Sequence, residues 1–284
     1  MSGTFDPVRY KEVQRRDWTD AAQGWRTWWR TIETSVGVVS ERLVELAEIG
    51  PGDVVLDVAT GIGEPALLAA QRVNPGGRVV ATDIAPGMIE LARERASELD
   101  IENAEFVELD AEQLDFTEEF DAVLSRFGLM FFPDLPEALA RIRRALRPGG
   151  RLAAAVWGPP DRVPFIALAF QVVSRELELP PPGPGVPGPF SLADVPALEQ
   201  TIAAAGFADV RSESVMIEQE FDSAEDYGAF MRAIAAPINS ALAERTPEEA
   251  EAVWAAIVEE ARRFERGGKV VLPGEAICVV ARRP

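Results

Sequence analysis

Residues 54–70 read VVLDVATGIGEPALLAA. Val54–Val58 is a short apolar run of the kind that forms a buried strand. A loop holding Gly61 and Gly63 follows, where the backbone can turn sharply and come close to a ligand. From Glu64 to Val73 the pattern turns helical, with Pro65 in the first turn, where a missing N–H costs nothing. Strand, glycine loop and helix form the opening unit of an α/β chain, and the sequence downstream repeats the alternation. Asn74-Pro75-Gly76-Gly77 is a turn. Arg78–Thr82 is a second strand, Met88–Leu99 a helix, and Glu105–Leu109 and Asp121–Ser125 two further strands. Pro136–Leu146 reads as a helix stopped by Pro148-Gly149-Gly150, and Arg151–Trp157 as a fifth strand.

The flanks are less regular. Residues 7–49 read as two or more helices, rich in Trp and charge, before the turn at Pro51-Gly52. Residues 164–178 look helical. The stretch 180–189 is dominated by Pro and Gly and cannot be helix or central strand, so it is expected to be a stiff connector. Ser191 is a candidate N-cap, Leu198–Ala205 a helix ending at Gly206, and Val210–Ile217 a strand. Residues 223–266 carry two helical segments with Pro237 and Pro247 between them, and Val270–Leu272 and Ala276–Ala281 close the chain as strand. Together these elements predict an α/β fold: a Rossmann-like, seven-stranded, mostly parallel sheet with helices on both faces.

Composition removes several chemistries. None of the 284 residues is histidine, so imidazole metal sites, Ser-His-Asp triads and the usual neutral-pH base are all excluded, and no metal site is expected. Lys11 and Lys269 are the only lysines, which leaves no Walker-A or Schiff-base lysine mid-chain. A formal charge of −19, from 28 basic and 47 acidic residues, argues against nucleic acid and anionic membranes as partners. The single Cys278 permits no internal disulfide and suits a reducing cytosol, so a cytoplasmic protein without membrane insertion is expected.

Within the 54–70 segment, Gly61-Ile62-Gly63-Glu64-Pro65-Ala66 also fits the G-x-G-x-x-G/A pattern of dinucleotide sites. The neighbouring carboxylates argue otherwise. Asp57, before the glycines, and Glu64, opening the helix, would both repel a pyrophosphate. S-adenosylmethionine (SAM), with an ammonium and a sulfonium, would welcome them. Asp83 stands 22 residues after Gly61, at the end of the second strand, where a carboxylate can accept from both ribose hydroxyls.

At these residues the chain resembles the class I SAM-dependent methyltransferases, and within them the small-molecule group of ubiquinone/menaquinone C-methyltransferases. LDVATGIGE resembles the first motif, with Ala59 where a glycine is common. VVATDIAPGMIELARERA (79–96), FVELDAEQLDF (106–116) and FDAVLSRFGLMFFPDLPEALARIRRALRPGG (120–150) resemble the next three. The resemblance implies SAM as cofactor, held by the loop residues Asp57, Ala59, Thr60, Gly61 and Gly63. Asp83 would hold the ribose, with Ile84 and Met88 flanking the adenine. Asp110 and the Ala111 N–H would face the adenine amino group, and Ser125 the methionine end. Phe127 would border the acceptor. Trp157, ending the fifth strand, would point into the same crevice, with simple sheet packing as the other reading.

Trp18, Trp25 and Trp29 fall near one helical face. They are either packing or part of a lid, and Trp25 is the candidate for touching the acceptor. The implied organisation is an N-terminal helical lid over 1–48, a SAM-binding core over 49–160, a helix and connector over 161–190, core again over 191–221, a helical cap over 222–268 and core strand over 269–284. The expected activity is methyl transfer to a small apolar acceptor, on carbon in preference to oxygen or nitrogen because no strong base is present. No residue stands out as catalytic; the proton acceptors available are carboxylates, Tyr10, Tyr227, Cys278 and water. Two rivals stay open: an NAD(P)-dependent oxidoreductase, and a non-methylating SAM-binding protein such as a pericyclase. A homodimer is compatible with the apolar helices.

Overall fold

The structure, a computed structural model, describes residues 5–181, 183 and 185–284. Strands β1 (Val54–Val58), β2 (Arg78–Asp83), β3 (Ala104–Glu108), β4 (Phe120–Arg126) and β5 (Leu146–Trp157) are parallel. Beyond β5, β8 (Lys269–Arg282) runs antiparallel to both its neighbours, β5 and β6 (Ala208–Phe221), so β6 is parallel to the first five strands and the order is 3-2-1-4-5-8-6. This is the expected seven-stranded path, with a two-residue stub, β7 (Glu265–Arg266), hairpinned onto β8. Residues 152–157 of β5 are buried without alternation, as in a strand covered on both faces; α1 (Pro7–Leu46) and α4 (Leu135–Ala145) both pack on it.

The remaining helices of the core are α2 (Ala66–Arg72) and α3 (Pro86–Glu98). Helix α2 starts later than the expected Glu64. Residues 61–65 form turns, and the first helical N–H, that of Ala66, is taken by the Asp57 carboxylate at 3.1 Å. The Pro148-Gly149-Gly150 stop lies inside β5, where the β4 register shifts, and not before it.

The largest departure is at the N-terminus. Residues 7–49 are not several helices but mainly one, α1 (Pro7–Leu46), about 60 Å long at 1.5 Å per residue. Asp6 caps it by accepting from the N–H groups of Val8 and Arg9, and Pro7 occupies its first position. Its C-terminal half carries Val36, Val39, Leu43 and Val44 into the main core. Its N-terminal half instead rests on a separate small cluster of Ile62, Ala85, Met88 and Leu91, covered by Trp18, Trp25 and Trp29. One helix thus spans two packing environments, and nothing in the intervening residues breaks it.

Beyond the core come α5 (Pro164–Glu176) and α6 (Val195–Ala204). Ser191 does not cap α6. Asp194 does, through the Ala197 N–H, while the Ser191 hydroxyl donates to the Met130 carbonyl. The described connector residues form neither helix nor strand; Pro182 and Pro184 lie outside the described residues. Residues 223–266 hold three helices and not two: α7 (Ala224–Ile234), α8 (Ala236–Leu242) and α9 (Pro247–Ala261). Pro237 and Pro247 sit in the first turns of α8 and α9, where proline opens a helix. The two strand pieces expected at the end are one continuous β8.

Candidate active site

The carboxyl ends of β1 to β5, the N-terminal half of α1, and α5, α7 and α8 enclose one large cavity, with about 1560 Å³ of empty space including its mouth. The cavity straddles the point between β1 and β4 where the strand order reverses, the position at which such sheets bind ligands.

Of the expected cofactor residues, Ala59, Thr60, Gly61, Asp83, Ile84, Met88, Asp110 and Ala111 line the cavity. Gly61 has φ 56°, which favours glycine, and a Cβ there would meet no protein atom within 4 Å, so the space beside it is open. Asp83 is buried. One carboxylate oxygen accepts from the Gly61 N–H and the other from the Ala85 N–H, each at 2.9 Å. Burial raises its pKa above the ordinary carboxylate range, against the pull of those backbone donors.

Asp57, Gly63 and Ser125 do not line the cavity. Asp57 is fully buried behind the loop, where it accepts from the Thr60 hydroxyl at 2.6 Å and the Ala66 N–H, and so shapes the turn from beneath. Desolvation pushes its carboxyl up to about 7, despite the Thr60 hydrogen bond. Its Oδ1 and the Ser125 hydroxyl have no protein partner among the described residues. At Gly63, φ is 99° and a Cβ would press on Leu67 at 3.0 Å, so this glycine serves loop and helix packing.

Ala59, at the position where a glycine is common, has φ 59°, and Phe127 has φ 60°. Two non-glycine residues in left-handed conformation at adjoining strand ends store strain, roughly 1–2 kcal/mol each. Gly128 makes room for the first: a Cβ on it would lie 2.6 Å from that of Ala59. Phe127 stacks on Trp157, with ring centroids 3.9 Å apart and planes at 11°, and both line the cavity. Trp25 lines it too and donates from its indole N–H to the Ile234 carbonyl at 3.3 Å. Phe165 and Phe230 complete an aromatic roof.

The cavity also contains charged groups that sequence reasoning did not assign to it. Lys11 reaches across from α1 to Asp110 at 2.8 Å and to Glu112, so the far N-terminus meets the expected adenine region. Arg126, the last residue of β4, is gripped by Glu33 of α1 at 2.7 and 3.0 Å, and donates to the Ser40 hydroxyl. Burial opposes its charge, but Glu33 more than offsets this and holds its pKa above the ordinary value. Glu64 pairs with Arg95 at 3.0 Å and is pushed upward by burial and by Glu33. These partners lie tens of residues apart, so no local pattern announces them. Tyr227 and Cys278, named as possible proton acceptors, are buried outside the cavity, and burial drives the Cys278 thiol up to about 12. Tyr10 does line the cavity, but desolvation raises its pKa and keeps it a phenol.

The glycine loop open to the cavity, a carboxylate at the end of β2 and the Glu64 carboxylate in the cavity wall fit an adenosyl cofactor with a cationic end. The fold and site define a class I SAM-dependent methyltransferase. A family profile described as a methyltransferase domain matches residues 55–150. Demethylmenaquinone methyltransferase of Thermus thermophilus is 37% identical over 179 residues, covering 59% of this chain and 80% of that protein. Aklanonic acid methyltransferase of a Streptomyces species is 40% identical over 142 residues, covering 46% and 64%. Among solved structures, a methyltransferase of Bacillus halodurans described as putative superposes with a TM-score of 0.58 at 24% identity, over 86% of this chain and 98% of that one, a likeness of fold.

The chain therefore belongs to the class I SAM-dependent methyltransferases and is a small-molecule methyltransferase. The oxidoreductase reading falls with that result. No helix among the described residues is long and apolar enough to cross a membrane.

Proposed function

We propose that the acceptor is a small, planar, largely apolar molecule, methylated on carbon in preference to oxygen or nitrogen. The observation that carries this reading is the character of the cavity beyond the glycine loop. It is walled by the Phe127–Trp157 stack, Phe165, Phe230 and Trp25. SAM, when bound, supplies an electrophilic methyl group on a sulfonium. The protein's own part is then positioning and water exclusion, worth about 7–11 kcal/mol in effective molarity. Aromatic faces align a flat ring, and Tyr10, kept protonated by burial, can donate a hydrogen bond but not take a proton. Two relatives are named for small organic acceptors, demethylmenaquinone and aklanonic acid, which supports a small-molecule acceptor here.

In the same reading Asp83 holds the ribose, Asp110 and Ala111 the adenine edge, and the N-terminal half of α1 is the lid, with α7 and α8 as the cap. Incubation with isotopically labelled SAM and a panel of quinols, aromatic polyketide acids, phenols and aliphatic amines tests it. Label on ring carbon is expected. Transfer to aliphatic amines alone would overturn the reading.

A further inference from the structure

The amino-acid end of SAM is a zwitterion, and the cavity floor holds one buried cation and one buried anion. Arg126 and Glu64 both line the cavity, with side chains only 7% and 13% exposed. They stand at the end of β4 and in the turn that follows the glycine loop of β1, on either side of the strand-order reversal. Glu33 and Ser40 occupy the Nη1 and Nη2 groups of Arg126, while its Nε–H has no acceptor among the described residues. Likewise one oxygen of Glu64 is taken by Arg95, and the other has no donor among the described residues.

Buried charged groups with unused hydrogen-bonding capacity are costly unless something meets them. Lys11 is the other cation lining the cavity. It is turned toward Asp110 and Glu112 beyond β3, which two strands, β2 and β1, separate from β4.

We propose that Arg126, oriented by Glu33, grips the carboxylate of the cofactor's amino-acid end, and that Glu64 takes the neighbouring ammonium. Because Glu33 belongs to α1, the helix that roofs the site also sets the cation that reads the cofactor's tail. The inference rests on SAM being the cofactor and adds which residues of this chain recognise its charged end.

Calorimetry on the full chain tests this with ligands that differ only at that end. Wild type should bind S-adenosylhomocysteine about 10- to 150-fold more tightly than 5′-methylthioadenosine, which lacks the amino-acid group; this is the range for hydrogen bonds to charged groups. Arg126→Gln should lose most of that preference while keeping its affinity for 5′-methylthioadenosine, and Arg126→Lys should restore part of it. An equal fall for both ligands would show Arg126 to be a structural tie between α1 and the sheet, and would overturn the proposal. Decarboxylated SAM needs no variant: wild type should bind it about tenfold or more weakly than SAM, and equal affinities would also overturn the proposal. Wild type binding none of these ligands would instead remove the cofactor assignment, and this inference with it.

Discussion

Below the cavity, carboxylates and backbone N–H groups meet one another at the strand ends: Asp83 with Gly61 and Ala85, Asp57 with Thr60 and Ala66. Above it, aromatic faces meet: Trp28 on Phe230, Phe230 on Phe165, Trp18 on Phe131. The floor is held by directional bonds between residues close in sequence or on adjacent strands. The roof is held by contact area between segments as far apart as α1 and α7. Floor and roof should therefore respond differently to substitution, the first in cofactor affinity and the second in stability and acceptor selection.

The sharpest test of the roof is Phe230→Ala. This ring is fully buried and touches Trp28, Phe165 and Phe221. Its removal should cost about 3–5 kcal/mol in denaturant unfolding with little change in the affinity of the folded protein for SAM. A large loss of SAM affinity with unchanged stability would erase the distinction. On the floor, Asp83→Ala should weaken SAM binding by about 1.5–3 kcal/mol, read by calorimetry. Unchanged affinity would sink the ribose assignment.

Asp57 gives the floor a pH signature. Its folded pKa, about 7, lies above its unfolded value near 3.8. Between those values the folded chain keeps a proton that the unfolded chain has released, so stability should fall as pH rises through this window, by at most about 1.4 kcal/mol per pH unit. Asp57→Asn should flatten that slope in urea unfolding at pH 4 to 7, and an unaltered slope would assign the effect elsewhere.

Smaller again is Gly24→Ala, at the close approach of α1 to α7. An added Cβ would overlap the Ala233 carbonyl. Overpacking of about 1–3 kcal/mol should outweigh the roughly 1 kcal/mol that alanine gains in a helix, leaving a net loss near 1 kcal/mol. A stabilised variant would mean that α1 can shift freely. The mildest effect is optical. If the N-terminal half of α1 closes over the site, tryptophan emission should change on adding SAM, and less so in Trp18→Phe or Trp25→Phe. A silent signal would leave those rings as packing alone.

Much of the floor can be read locally. Strand runs, the glycines at 61 and 63 and the Asp at the end of β2 are features of short segments, and they located the sheet and the part of the cavity wall formed by the strand ends. Asp57 and Ser125 could be placed at strand ends but not oriented, because whether a side chain faces a cavity or props a loop depends on what packs behind it. The roof was far less legible. Pro237 and Pro247 look like interruptions until the helices they open are seen, and the run from Pro7 to Leu46 looks divisible because its two halves bury different faces on different clusters.

The amino-acid sequence alone determined the α/β alternation, the glycine loop with its carboxylates and the absence of any imidazole, since these depend on residue type and short-range periodicity. Only the tertiary structure decided that Glu33 of α1 meets Arg126 of β4, that Lys11 meets Asp110, and that Phe127 lies flat on Trp157. Those contacts join residues 93, 99 and 30 positions apart. Such pairs exist because the packed sheet and α1 bring distant backbone to one crevice, where burial makes each charge seek a partner and each ring a face.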